Sequence, residues 1–122
     1  MTIQSFVDLE AWKESRMLTL EIYRTTKTFP ADERFALTDQ MRRAAISVIS
    51  NIAEGFGRNT AKDKTHFYSM AKGSLLELQS QIIISNDLEY LDKNTLTELN
   101  EHIIHTAKLL GGLIRSAMDH KY

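Results

Sequence analysis

The chain has no cysteine, a single proline (Pro30) and only five glycines among its 122 residues. Without cysteine there can be no disulfide scaffold, no thiolate zinc site and no cysteine nucleophile. Few prolines and glycines suit a chain of long helices, because both residues interrupt or weaken helical hydrogen bonding. An excess of charge of either sign is also missing: 15 Lys and Arg stand against 16 Asp and Glu, a net charge of −1. A dedicated nucleic-acid binder normally carries a basic excess, and an acidic tail or solvating disordered segment carries the reverse. No stretch reaches the roughly 18–20 consecutive apolar residues of a membrane span. The opening Met1-Thr2-Ile3-Gln4-Ser5 shows no basic region ahead of an apolar core. No secretory signal is therefore read, and a cytoplasmic protein is expected.

What remains is a 14.0 kDa chain that is 43% apolar, enough for one domain and one core. Four stretches of helical periodicity are separated by three short breaks, with no sustained alternation of period two. The expected class is therefore all-α, an antiparallel up-down four-helix bundle over residues 1–122. The helices are expected at about 8–28, 39–57, 61–86 and 95–120. The first should stop at Phe29-Pro30. Thr38 and Thr60 are the expected N-caps of the second and third helices, and Asn94 or Asp92 that of the fourth. The first seven residues read as a loosely attached arm that Phe6 staples to the bundle, and a single helical turn is expected around Asp32-Glu33-Arg34.

Helical wheels separate the core from the surface. In the second helix Met41, Ala45, Val48 and Ile52 make one stripe, and Ile46, Ile49 and Ala53 a second beside it. Together they span roughly 200° of the wheel, more than the ~100° that a helix lying on one core needs. The first helix has a similarly broad apolar side that includes Leu20 and Tyr23, with Glu10, Glu14 and Glu21 marking solvent. The fourth repeats Leu96, Leu99, Ile103, Thr106, Leu110, Leu113 and Ala117 at heptad spacing, which suits antiparallel packing. In the third helix Phe67, Ala71, Ser74, Leu78 and Ile82 form the expected core stripe. A second seam, Gly73, Leu76, Ser80 and Ile83, points nearly the other way. A glycine inside a helix costs about 1 kcal/mol relative to alanine, so Gly73 suggests close approach by another backbone. Aligned rather than scattered, these four residues are the candidate subunit interface.

The run from Gln40 to Gly55, with its Arg42-Arg43 and Asn51-Ile52-Ala53-Glu54-Gly55 pieces, is the most distinctive in the chain. It is joined by Phe6-Val7-Asp8-Leu9-Glu10-Ala11-Trp12-Lys13, Ile22-Tyr23, Phe29-Pro30, Gly73-Ser74 and Leu76-Glu77-Leu78. Together these resemble the bacterial four-helix bundle family of proteins encoded in intervening sequences of 23S ribosomal RNA genes, from about Phe6 to Leu113. The resemblance implies an up-down bundle assembled as a homopentameric ring, with no established enzymatic activity. A similar branch, the accessory proteins of diversity-generating retroelements, works beside a reverse transcriptase with RNA or DNA. That branch is distinctly basic, and this chain departs from it.

Two functional readings follow. The first is a non-enzymatic assembly or interaction module whose partner is its own copy. The alternative is an RNA-binding accessory protein, or a module for a nucleic-acid-associated protein, using Arg42, Arg43, Arg58, Lys62 and Lys64. Arginine forks suit phosphate oxygens, but the favoured reading of Arg42 and Arg43 is as ion-pair partners of acids across the bundle or between subunits; Glu54 and Arg58, one turn apart, are such a pair. Asn51, Glu54 and Gly55 read as structural, with Gly55 ending the helix or allowing close packing. No catalytic or cofactor-binding residue, metal ligand or small-molecule substrate is expected. Gly55-Phe56-Gly57 lacks the third glycine and preceding strand of a dinucleotide loop. His102 and His105 lack the Glu-x-x-His spacing of a di-iron bundle, and the serines sit in no nucleophile elbow. Charge is unevenly distributed: residues 38–86 hold six bases and four acids, and 87–94 hold three acids and one base.

Overall fold

A computed structural model describes residues 3–119. Its four helices are α1 (Glu10–Thr26), α2 (Leu37–Phe56), α3 (Ala61–Asp87) and α4 (Lys93–Asp119). No strand occurs among the described residues. Helices consecutive in sequence pack on one another, and α1 closes the square on α4, so α3 lies diagonally across from α1. No described helix is long and apolar enough to cross a membrane.

One core runs the length of the bundle. Met41, Val48 and Ile52 of α2, Leu78 and Ile82 of α3, and Leu99 and Leu110 of α4 are buried, with Leu18 and Ile22 of α1 closing the fourth side. The heptad seam of α4 is seen as read: Leu99, Ile103, Thr106, Leu110 and Ala117 are buried, and Leu96 and Leu113 pack against them.

Several boundaries move, for local reasons. The chain before α1 is not a loose arm from Ser5 onward. Ser5 and Asp8 form a reciprocal capping box around a 3-10 turn, Phe6–Asp8. Leu9 is extended, so α1 starts at Glu10 rather than residue 8. The Phe6 ring meets Trp12 edge-on at 5.3 Å, the staple read from sequence. Thr38 is not an N-cap; it is buried inside the first turn of α2, which starts at Leu37. A 3-10 turn at Ala31–Glu33 brings Glu33 back so that its carboxylate accepts from Leu37 N at 3.4 Å, doing the capping that Thr38 was expected to do. Thr60 does cap α3, accepting from Asp63 N. Asp92 caps α4, accepting from Thr95 N at 2.7 Å; these hydrogen bonds hold its carboxyl below the usual carboxylate range. His120, placed at the end of the fourth helix by the sequence reading, lies outside the described residues.

The core stripe of α3 is rotated from the one expected. Tyr68 and Leu75 are buried in place of Phe67 and Ser74. Gly55 explains the tyrosine: a Cβ there would lie 2.6 Å from Tyr68 Cε1, so the missing side chain makes room for the ring. Burial pushes the Tyr68 phenol up. Ser74 is taken up in a polar tie, its hydroxyl 2.7 Å from that of Ser47 on α2.

Candidate interaction surface

The basic residues singled out from sequence divide sharply by what they touch. Arg42 is turned onto the end of α1. Its Nε donates to Thr26 Oγ1 at 2.9 Å, one Nη donates to the Tyr23 carbonyl at 3.3 Å, and its guanidinium lies 4.8 Å from the Tyr23 ring centroid. It therefore satisfies a carbonyl in the last turn of α1, where a cation is favoured. Arg58 pairs with Glu54 at 2.8 Å, as the spacing implied, and stacks over Phe67 at 4.4 Å. Lys64 donates to the Phe56 carbonyl at 2.7 Å and the Gly55 carbonyl at 3.3 Å, closing the end of α2. Desolvation there lowers its ammonium from the ordinary lysine range. Arg43 and Lys62 are exposed and make no side-chain hydrogen bond or salt bridge among the described residues. The five candidates thus do not converge on one site.

Asn51 is internal. Its Nδ2 donates to the Ser47 carbonyl at 2.9 Å and the Ser47 hydroxyl at 3.1 Å, extending the Ser47–Ser74 tie between α2 and α3. Around Arg43, a shallow groove of about 600 Å³ is lined by Tyr23, Asp39, Arg42, Ile46, Ser47 and Ser50, among others. Leu20, Tyr23 and Ile46, assigned from sequence to the broad apolar faces of α1 and α2, remain exposed beside it.

The outer seam of α3 is open. Nothing lies within 4 Å of a Cβ built on Gly73, and Leu76 and Ile83 are 56% and 52% exposed. The backbone approach that Gly73 suggested does not come from any of the described residues. Leu76 borders a groove of about 260 Å³ between α3 and α4, where Ala107 and Gly111 leave space. Ile104 of α4 and Leu88, just past α3, are also exposed.

Two features were missed by sequence reading. Glu14 was assigned to solvent, but its side chain is only 16% exposed. Its carboxylate receives His102 Nδ1 at 2.6 Å and His105 Nδ1 at 3.3 Å, tying α1 to α4. Spacing within one helix carries no signal of a partner 88 residues away. Among the described residues no group of histidines and carboxylates is placed to hold a metal ion. The second feature is Glu89, with φ of 63°. It ends α3 in a left-handed conformation, with Tyr90 N donating to the Ser85 carbonyl, the geometry for which glycine is the usual choice.

Comparison with known proteins fits this geometry. The sequence profile of a family described as 23S rRNA-intervening sequence protein matches residues 7–112. A crystal structure of a protein with unknown function from the S23 ribosomal protein family of Bacteroides thetaiotaomicron VPI-5482 superimposes with a TM-score of 0.79. That similarity covers 86% of this chain and 95% of the other at 19% identity, and so speaks to the fold alone. No curated protein matches the chain.

Proposed function

The chain belongs to the 23S rRNA-intervening sequence protein family, and we propose that it is a non-enzymatic assembly module that self-associates through the outer face of α3 into a homo-oligomeric ring. The observation that carries this reading is the aligned, exposed seam of Gly73, Leu76, Ser80 and Ile83. Apolar residues scattered singly on a surface need no explanation, whereas a contiguous strip marks an interaction site. The five-fold number comes from the family resemblance. What supports the non-enzymatic part is that, among the described residues, the serine hydroxyl bonds run to backbone groups, to another serine, to Asn51 or to Met41, and none runs to a histidine.

Molar mass in solution tests it, by light scattering coupled to size exclusion at micromolar concentration. The expected result is a multiple of the 14.0 kDa chain mass, five for the ring. A monomeric mass overturns the reading.

The RNA-binding alternative is favoured by Arg43 and Lys62 alone, since Arg42, Arg58 and Lys64 are engaged within the chain. A ring would repeat those two cations around its circumference. Phosphate-driven binding of a structured RNA should weaken steeply as salt rises; no binding at low salt removes this alternative.

A further inference from the structure

The groove of about 260 Å³ between α3 and α4 has no part in the fold or in the reading above. Its floor is Leu75 and Leu110, both buried, and its walls include the exposed Leu76 and Ala107. Lys72 and Arg115 line it too. Lys72 comes first among the lining residues of α3, and Arg115 last among those of α4. The short connection between α3 and α4 makes the two helices antiparallel, so both cations stand at one end of the groove and the other end is apolar. Neither cation forms a salt bridge among the described residues. Nor do the nearest other charges along the two helices, Glu77, Lys108 and Asp119. Arg115 has a particular seat. Consecutive glycines are poorly suited to the inside of a helix, yet α4 carries Gly111 and Gly112. A Cβ on Gly111 would lie 3.4 Å from one terminal nitrogen of Arg115, and a Cβ on Gly112 3.9 Å from the other, with no other side chain within 4 Å. The two glycines thus let the guanidinium lie back along its own helix, beside the groove.

We propose that this groove binds a free medium-chain fatty acid, its tail along Leu75, Leu76 and Leu110 and its carboxylate on Arg115 and Lys72. An apolar slot alone would take any apolar group. Two cations without an acidic partner at one end select a negative head, and a guanidinium fork matches the two oxygens of a carboxylate. Size narrows the choice further: the groove is smaller than the roughly 300–1,000 Å³ of sites for drug-sized ligands, so it suits one slim chain. The site goes beyond the self-association reading. Of the seam Gly73, Leu76, Ser80 and Ile83, only Leu76 lines the groove.

Octanoate, kept below its micelle-forming concentration, tests this by isothermal titration calorimetry on the wild-type chain. Binding of one octanoate per chain is expected, tightening by about fourfold for each methylene added from hexanoate onward. Octyltrimethylammonium, with the same tail and the opposite charge, should not bind. Lys72→Gln and Arg115→Gln should each weaken octanoate by about tenfold. Ala107→Phe, at an exposed position, should fill the groove and abolish binding while circular dichroism reports wild-type helicity. Ile83→Asp, on the seam but outside the groove, should bind as the wild type does. Equal binding of the cationic homologue, or no loss in the two glutamine variants, overturns the proposal. So does binding by Ile83→Asp but not by the wild type, which would mean that assembly covers the groove. No binding by any form also overturns it and leaves self-association standing, since molar mass reads that separately.

Discussion

Gly55 and Gly73 each sit within a helix, one at the last turn of α2 and one in the middle of α3, and from sequence they invite the same explanation. Their surroundings are opposite. Gly55 is buried against Tyr68 and Phe67, with no room for even a methyl group, while Gly73 looks into open space. The first glycine is explained entirely by its own chain: it lets α2 and α3 close together where the tyrosine ring crosses. The second is explained by no contact among the described residues. The same division separates Arg42, folded onto the end of α1, from Arg43, which projects outward one residue later. Internal demands of the bundle account for one member of each pair and leave the other without a role in the fold.

The largest expected effect is at Gly55. Gly55→Ala puts a Cβ 2.6 and 2.7 Å from Tyr68 ring atoms and 3.2 Å from Phe67 Cβ. Overpacking of this kind costs about 1–3 kcal/mol, more than the helix propensity that alanine gains. Urea unfolding should show a lower midpoint with an unchanged slope. An unchanged or raised midpoint would mean that α2 and α3 are less tightly closed than this contact implies, and the contrast with Gly73 would collapse.

Arg42→Ala follows. It removes two hydrogen bonds at the end of α1 and a guanidinium stacked on Tyr23. For a half-buried charged group the loss should be about 1.5 kcal/mol, read as a drop in unfolding midpoint. A loss confined to RNA binding or assembly would instead return Arg42 to the outward-facing set.

Gly73→Ala should act in the opposite sense to Gly55→Ala. With nothing within 4 Å to meet the new methyl, the isolated chain should gain up to about 1 kcal/mol in unfolding free energy from helix propensity. Measured at concentrations where the chain self-associates, the same variant should dissociate more readily, because the methyl stands in the proposed contact. Stabilisation without any change in association would place Gly73 on a free surface and shorten the proposed seam.

How much of this was legible in the sequence depends on the range of the interaction. The core stripe of α4, the pair Glu54–Arg58 and the Thr60 cap depend on residues three or four apart, and periodicity reads them directly. The rotation of α3, which buries Tyr68 and Leu75 in place of Phe67 and Ser74, is decided by Gly55 on another helix and cannot be read from α3 alone. Thr38 was displaced as cap by Glu33, which a 3-10 turn returns to the start of α2. Glu14 read as a solvent-side residue and Arg42 as a phosphate or ion-pair candidate, because their actual partners lie on a neighbouring helix, 88 and 16 positions away. That Gly73, Leu76, Ser80 and Ile83 share the outward side of α3 was legible for the converse reason: it follows from helical spacing alone.

The smallest expected effect on stability is the most informative about function. Arg43 is exposed and touches no acid among the described residues, so Arg43→Ala should change the unfolding free energy by less than about 0.5 kcal/mol. If the residue is held for the fold after all, through a contact formed only transiently, the variant will destabilise as Arg42→Ala does. If it is held for an outside partner, stability and association will separate: the unfolding midpoint stays in place while the association constant falls. Repeating both measurements at low and high salt then distinguishes the partner. A contact with the carboxylates of a second copy weakens modestly as salt screens a few charges at a partly desolvated interface. A contact with RNA phosphates weakens as a steep power of salt concentration, because each neutralised phosphate releases counterions.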